Sequence, residues 1–280
     1  MNRSVHRRTR TLQLAVGGTA VLLALSACSS GDDSNDASSS AAPSASDAAA
    51  SPADDLKGTV TVFAAASLKE TFTELGKQFE AAHPGTKVTF NFGGSDSLAA
   101  SITSGAPADV FAAASPKTMK IVTDAEDASG EPETFVRNQL EIAVVPGNPK
   151  KIDALKDLTG PGLKVALCAK EVPCGAAAQK ALDAGGLKLT PVSYEQDVKS
   201  ALTKVELKEV DASLVYKTDV KAAGGKVEGV EFPESAKVVN DYPIVLLKDA
   251  PNADAAKAFI ALVESPGGAE VLSAAGFLNP

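Results

Sequence analysis

Apolar positions along the chain switch repeatedly between two periods. Residues 59–63 form a short apolar and β-branched run, followed by Leu68, Phe72, Leu75 and Phe79 on one helical stripe that ends near His83. The succession recurs as a strand over 87–92 and a helix from about 97 to 104, then a strand over 109–113 and a helix over 116–124. Such alternation builds βαβ units, and it predicts an α/β fold with mostly parallel sheets and right-handed crossovers. A further strand over 140–145 follows the polar Arg137-Asn138-Gln139, which reads as a crossing into a second lobe. That lobe takes a strand over 163–167, helices over 176–184 and near 197–205, and a strand over 212–216. A strand over 238–247 and helices over 252–264 and 267–275 close the pattern.

The N-terminus changes this picture by removing itself from the fold. Arg3, Arg7, Arg8 and Arg10 precede an apolar stretch over 12–25 that is too short and too glycine-interrupted for a good membrane span. Residues 1–27 are therefore a predicted signal peptide. It ends in Leu25-Ser26-Ala27-Cys28, which resembles the bacterial lipobox, whose cysteine is acylated and becomes the mature N-terminus. An ordinary secretory signal with a chance cysteine is the alternative. Residues 28–55 are almost entirely Ser, Ala, Asp, Gly and Pro, with no apolar period, and predict a flexible tether. An exported protein, lipid-anchored at Cys28 to the outer face of the cell membrane, is the expectation.

Charge and cysteine usage narrow the partners. The formal net charge is −8, and removal of the four leader arginines takes it to −12. So acidic a surface argues against nucleic acid and against a polybasic membrane patch. With Cys28 assigned to lipid, Cys168 and Cys174 remain, and an even pair in an exported chain reads as a disulfide. Two free thiols are the alternative. A loop this short is worth roughly 2–2.5 kcal/mol when closed. One histidine, His83, survives the leader, so no zinc site is visible.

The acidic balance makes an anionic ligand look unsuitable, yet the strand-to-helix junctions argue for one. Ala64-Ala65-Ala66-Ser67 opens the first helix, with Ser67 and Glu70 spaced as a capping box that puts Ser67 at the N-cap. Gly93-Gly94-Ser95-Asp96-Ser97, Val172-Pro173-Cys174-Gly175-Ala176 and Gln196-Asp197-Val198 repeat the arrangement. Close helix–sheet packing explains one bare junction; four form a constellation. Each helix end carries about half a positive charge, so four offer roughly +2 without a lysine or arginine. Carboxyl ends of parallel strands are where open α/β sheets bind ligands.

Together "VTVFAAASLKETF", "GGSDSLAASITSGAPADVFAAAS", "VPCGAAAQKAL", "EQDVKSALTKVE" and "ASLVYKTDV" resemble the molybdate-binding proteins of bacterial ABC importers, over nearly all of residues 58–280. The resemblance implies a two-lobed periplasmic-binding-protein fold of type II, with lobe 1 from 56–139 and 235–280, lobe 2 from 140–234, and a ligand cleft between them. It implies an oxyanion, molybdate or tungstate, held by the hydroxyls and amides of Ser67 and Ser95, the amides of Cys174 and Val198, and the hydroxyl of Tyr216. It implies a monomer that delivers to ABC importer membrane subunits, with no cofactor and no catalysis. Alanine is common in the family where Cys174 stands, a swap that a backbone contact tolerates. Asp96 directly follows Ser95, where a neutral residue is expected; its carboxylate is expected to face solvent or cap a helix.

Two rival functions follow from the same residues. A hydrolase using Ser67 or Cys174 needs a base within hydrogen-bond reach, and His83 lies about four helical turns from Ser67. A sulfate or phosphate binder is nearer. Phosphate keeps a proton at neutral pH and favours a site with a carboxylate acceptor, which Asp96 leaves open.

Overall fold

The computed structural model describes residues 56–280; the signal peptide, Cys28 and the tether over 28–55 lie outside the described residues. Ten strands form two sheets of five. The first holds β1 (Gly58–Ala65), β2 (Thr86–Gly93), β3 (Val110–Ala112), β4 (Glu133–Asn138) and β10 (Asn240–Leu246), in the order β2-β1-β3-β10-β4. The second holds β5 (Leu140–Val144), β6 (Val165–Cys168), β7 (Ser193–Glu195), β8 (Ala212–Tyr216) and β9 (Glu228–Val230), in the order β7-β6-β8-β5-β9.

Both sheets are mixed rather than mostly parallel. β1 pairs in parallel with β2 and β3, and β6 with β7 and β8, while β10 and β5 pair antiparallel with both of their neighbours. The reason lies in how these two strands arrive. A parallel pair needs a crossover of a dozen or more residues. β5 follows β4 across Gln139 alone, and β10 re-enters the first sheet after a short 3-10 turn, Pro233–Lys237. Each comes from the other lobe and slots between two strands running against it.

Eight helices flank the sheets. The first lobe carries α1 (Lys69–Ala82), α2 (Ser95–Thr103), α3 (Pro116–Asp124), α7 (Ala253–Glu264) and α8 (Pro266–Ala274). The second carries α4 (Pro173–Ala184), α5 (Val198–Glu206) and α6 (Lys217–Ala222). The stripe of α1 is buried, and Phe72 meets Phe90, Phe135 and Phe259 with ring centroids 5.8–6.4 Å apart. In the second lobe Leu140, Ile142 and Leu214 pack against Ala201 and Val205 of α5, all buried.

One expected helix start is different. Residues Ala66–Leu68 form a 3-10 turn, α1 begins at Lys69, and neither the turn nor the helix has a side-chain cap. Ser67 is therefore not an N-cap. Its hydroxyl is 2.9 Å from that of Tyr242, a buried phenol that takes it away from its own helix. Helix α4 starts earlier than expected, with Pro173 in its first turn, where the missing N–H costs nothing.

Candidate functional site

The carboxyl ends of β1, β2 and β6 run into helix starts that face one recess. Ser67, Ser95, Cys174 and Val198 all line it, together with Ala65 and Gly94, in a space of about 200 Å³ that includes its open mouth. The enclosed part of this space is far smaller than the roughly 300 to 1,000 Å³ of sites for drug-sized ligands, so it suits a small ligand. Its donors come from position in the helices. Ser95 and Val198 are first residues of α2 and α5, and Cys174 is the second residue of α4. First-turn N–H groups have no partner within their own helix. The 3-10 turn before α1 adds a fourth positive helix end.

The two serines are set up as donors. Ser95 Oγ accepts the amide of Ala114 at 3.0 Å, which leaves the hydroxyl proton to give. Ser67 is buried beside Tyr242, with the 2.9 Å contact already noted. One carboxylate lines the recess, that of Asp197, and both its oxygens are engaged as the N-cap of α5. Oδ1 accepts from the Ser200 amide at 2.9 Å and Oδ2 from the Ser200 hydroxyl at 2.8 Å.

Tyr216 is not among the residues that line the recess. It is buried at the N-terminus of α6, and its hydroxyl accepts from Asn240 Nδ2 at 2.9 Å. Its ring meets that of Tyr242 edge-on, centroids 6.0 Å apart. Burial raises the pKa of both phenols above the ordinary tyrosine value, so both stay protonated. Tyr242 was absent from the sequence-derived set. Within a strand, a tyrosine in Asn240-Asp241-Tyr242-Pro243 reads as a core residue, and no local pattern marks it as anything else.

Asp96 lies in the first turn of α2 and is half-buried, with one of its oxygens, Oδ1, buried without a hydrogen bond. It sits beside Gly94, where an added Cβ would run into this oxygen and into the Gln196 carbonyl of the other lobe. The lobes approach too closely there for any side chain at position 94. Asp96 does not line the recess.

Two further links tie the site together. Cys168 and Cys174 are joined by a disulfide, Cα–Cα 5.8 Å, which fastens the end of β6 to the first turn of α4. Lys199, next to Val198, pairs with Glu70 of α1 at 2.9 Å and with buried Asp219 of α6 at 3.1 Å. Burial alone would lower the Lys199 pKa, but Asp219 and Glu70 outweigh it and the net shift is upward. An ion pair thus bridges the lobes one residue from the recess. Among the described residues no group of His, Cys, Asp and Glu could hold a metal ion.

A two-lobed fold with helix N-termini converging on a small recess defines a solute-binding protein. The model of the bacterial extracellular solute-binding protein family matches residues 60–278, and the chain belongs to that family. It is 44% identical over 234 residues to the molybdate-binding protein ModA of Mycobacterium tuberculosis, covering 83% of this chain and 90% of that one. The molybdate-binding protein ModA of Escherichia coli is 32% identical over 234 residues, with 79% and 89% covered. The solved periplasmic molybdate-binding protein of Azotobacter vinelandii superposes with a TM-score of 0.69 at 23% identity, over 79% of this chain and 99% of that one, and so shares the fold.

Proposed function

We propose that this protein captures molybdate, and tungstate with it, outside the cytoplasmic membrane and passes it to the membrane subunits of an ABC importer. The observation that carries the reading is a recess lined by hydroxyls and first-turn amides whose one carboxylate is already consumed in capping. A site whose donors outnumber its acceptors, with its one carboxylate turned to capping, suits a tetrahedral dianion and penalises a ligand that must give a proton. Protonated phosphate is disfavoured on that ground, since Asp96 does not line the recess. The two relatives bearing the ModA name agree with this chemistry.

Ser67 and Ser95 supply hydroxyls and amides to the anion, and Cys174 and Val198 supply amides. Tyr216 belongs to the same set, through its hydroxyl. The protein binds and releases; it catalyses nothing. Acylation at Cys28 tethers it as a monomer through residues 28–55 and keeps it within reach of the importer. Replacement of Cys28 by alanine should release the protein to the medium, and continued membrane retention would remove the anchor from this account.

Titration calorimetry with sodium molybdate, tungstate, sulfate and phosphate tests the central reading. Molybdate and tungstate should bind one per chain at far lower concentration than the other two. Equal competition by sulfate would end the specificity assignment, and absence of binding by all four would end the site.

A further inference from the structure

We propose that Tyr242 is a positioning residue of the anion site, whose phenol turns the Ser67 hydroxyl so that its proton faces the recess. The inference rests on the oxyanion reading and extends it to a residue outside the recess lining. It follows from counting protons. Ser67 and Tyr242 form a buried pair of hydroxyls, with Oγ and Oη 2.9 Å apart. Each hydroxyl has one proton, and the pair has one link, so one proton must leave the pair.

The direction is set by an asparagine whose orientation is fixed. Asn138 Oδ1 accepts the Gln139 amide at 3.0 Å, so its Nδ2 faces Thr218 Oγ1 at 2.8 Å and Tyr242 Oη at 3.4 Å. That amide can only give a proton to the phenol, so Tyr242 must pass its own to Ser67. Burial keeps the phenol neutral and able to do so. Ser67, which lines the recess, is the exit. Thr218 of the second lobe holds Asn138 of the first, so Ser67 is oriented by groups from both lobes.

The test is a double-mutant cycle on the intact protein, titrated calorimetrically with sodium molybdate. Tyr242→Phe should raise the dissociation constant about tenfold when Ser67 is present, near the low end for a hydrogen bond to a charged group. In the Ser67→Ala background the same change should raise it less than about twofold, because there is no hydroxyl left to orient. A general packing defect would weaken binding by the same factor in both backgrounds, and that result would overturn the inference alone. Absence of molybdate binding by the wild type would overturn the oxyanion reading and this inference with it. Should Tyr242→Phe fail to fold, the wild-type protein decides by proton NMR with molybdate bound. The proton between the two groups should correlate with the Tyr242 ring; a bridging proton carried by Ser67 would overturn the proposal.

Discussion

The side-chain amide of Gln139 donates to the hydroxyl of Ser235 at 2.6 Å, and this bond joins the two segments by which the chain passes between its sheets. Gln139 is the lone residue between β4 and β5, and Ser235 lies in the 3-10 turn before β10. Ser235 also donates to the Phe232 carbonyl at 2.7 Å, so the hydroxyl is used in both senses. Rotation of the lobes about these crossings carries both partners together, and the bond should persist whether the cleft is open or closed. Ser235→Ala should then cost about 1 kcal/mol of stability, or roughly 2–4 °C in Tm for a protein of this size, with molybdate affinity changed less than about threefold. A tenfold change in affinity at unchanged Tm would show that the bond forms in one state of the hinge only.

The hydroxyl of Ser67 and the amide beside it make separate predictions. Ser67→Ala removes the hydroxyl and leaves the amide, so molybdate binding should weaken roughly ten- to a hundredfold, as one hydrogen bond to a charged group is worth about 1.5–3 kcal/mol. Tyr216→Phe should weaken it by about tenfold, through the loss of one hydroxyl donor of the proposed set. Calorimetric titration of both variants decides this, and unchanged binding in both would remove these residues from the site.

Cys174 separates a contact from a constraint. Cys174 lines the recess while its sulfur is held by Cys168, so Cys174→Ala keeps the backbone N–H and loses the bridge. The thermal transition should fall, since closing a loop this short is worth roughly 2–2.5 kcal/mol, while affinity moves little. Thiol titration of denatured, unreduced protein should find none free among Cys168 and Cys174; two free thiols would show an open loop.

Much of this architecture was legible because it is written in local chemistry. The helix over Pro116–Asp124 and the strand over Ala212–Tyr216 sit at their expected bounds, each marked by a residue with one structural meaning. Pro116 after Ser115 suits the first turn of a helix, and the apolar run Leu214-Val215-Tyr216 suits a buried strand. Strands β7 and β9 were not legible, because three residues with partly exposed side chains carry no period. The capping box at Ser67 failed for another reason. A serine three residues before a glutamate is read locally, but its hydroxyl is claimed by Tyr242, 175 residues away. The anion recess could be anticipated because backbone amides at helix starts need no particular side chain. The chain of contacts behind it, from Ser67 through Tyr242 and Asn138 to Thr218, could not, since its partners meet only when both lobes are folded.

Glu80 gives a prediction in pH. Its Oε1 accepts the Val88 amide at 2.8 Å, and Lys87 pairs with it at 3.0 Å, fastening α1 to β2. The Val88 amide chiefly, and then Lys87, lower its pKa below the ordinary glutamate value of 4.5. A lowered carboxylate favours the folded state above its unfolded value, and that contribution is lost as pH falls through the lower folded value. Glu80→Gln should therefore unfold at lower temperature than wild type at pH 7, and the gap should close in acid. A gap that stays constant from pH 7 to pH 3 would mean that shape, not charge, is what Glu80 supplies.

Lys199 makes the sharpest electrostatic prediction. Asp219 is fully buried, one of its oxygens accepts the Tyr216 amide at 3.1 Å, and Lys199 reaches the other at 3.1 Å. Burial raises the Asp219 pKa, with Lys199 opposing the shift. Lys199→Met removes the countercharge and leaves a carboxylate in a dry place, which costs about 3 kcal/mol when one partner of a buried pair is lost. Asp219 can escape part of that penalty by keeping its proton, so its pKa should rise further in the variant. A carboxyl whose folded pKa is raised holds a proton that the unfolded chain releases. Its ionisation penalty is absent below the unfolded value of 3.8 and grows as pH rises toward and past the folded value. The Lys199→Met deficit in Tm should therefore be largest at neutral pH and shrink toward pH 4. Adding Asp219→Asn should recover most of the neutral deficit, because the asparagine needs no countercharge. The interlobe contact with Glu70 is lost in both variants, so any weakening of molybdate binding should persist in the double variant while its stability returns. If Asp219→Asn restored neither, the buried pair would not be the source of the loss.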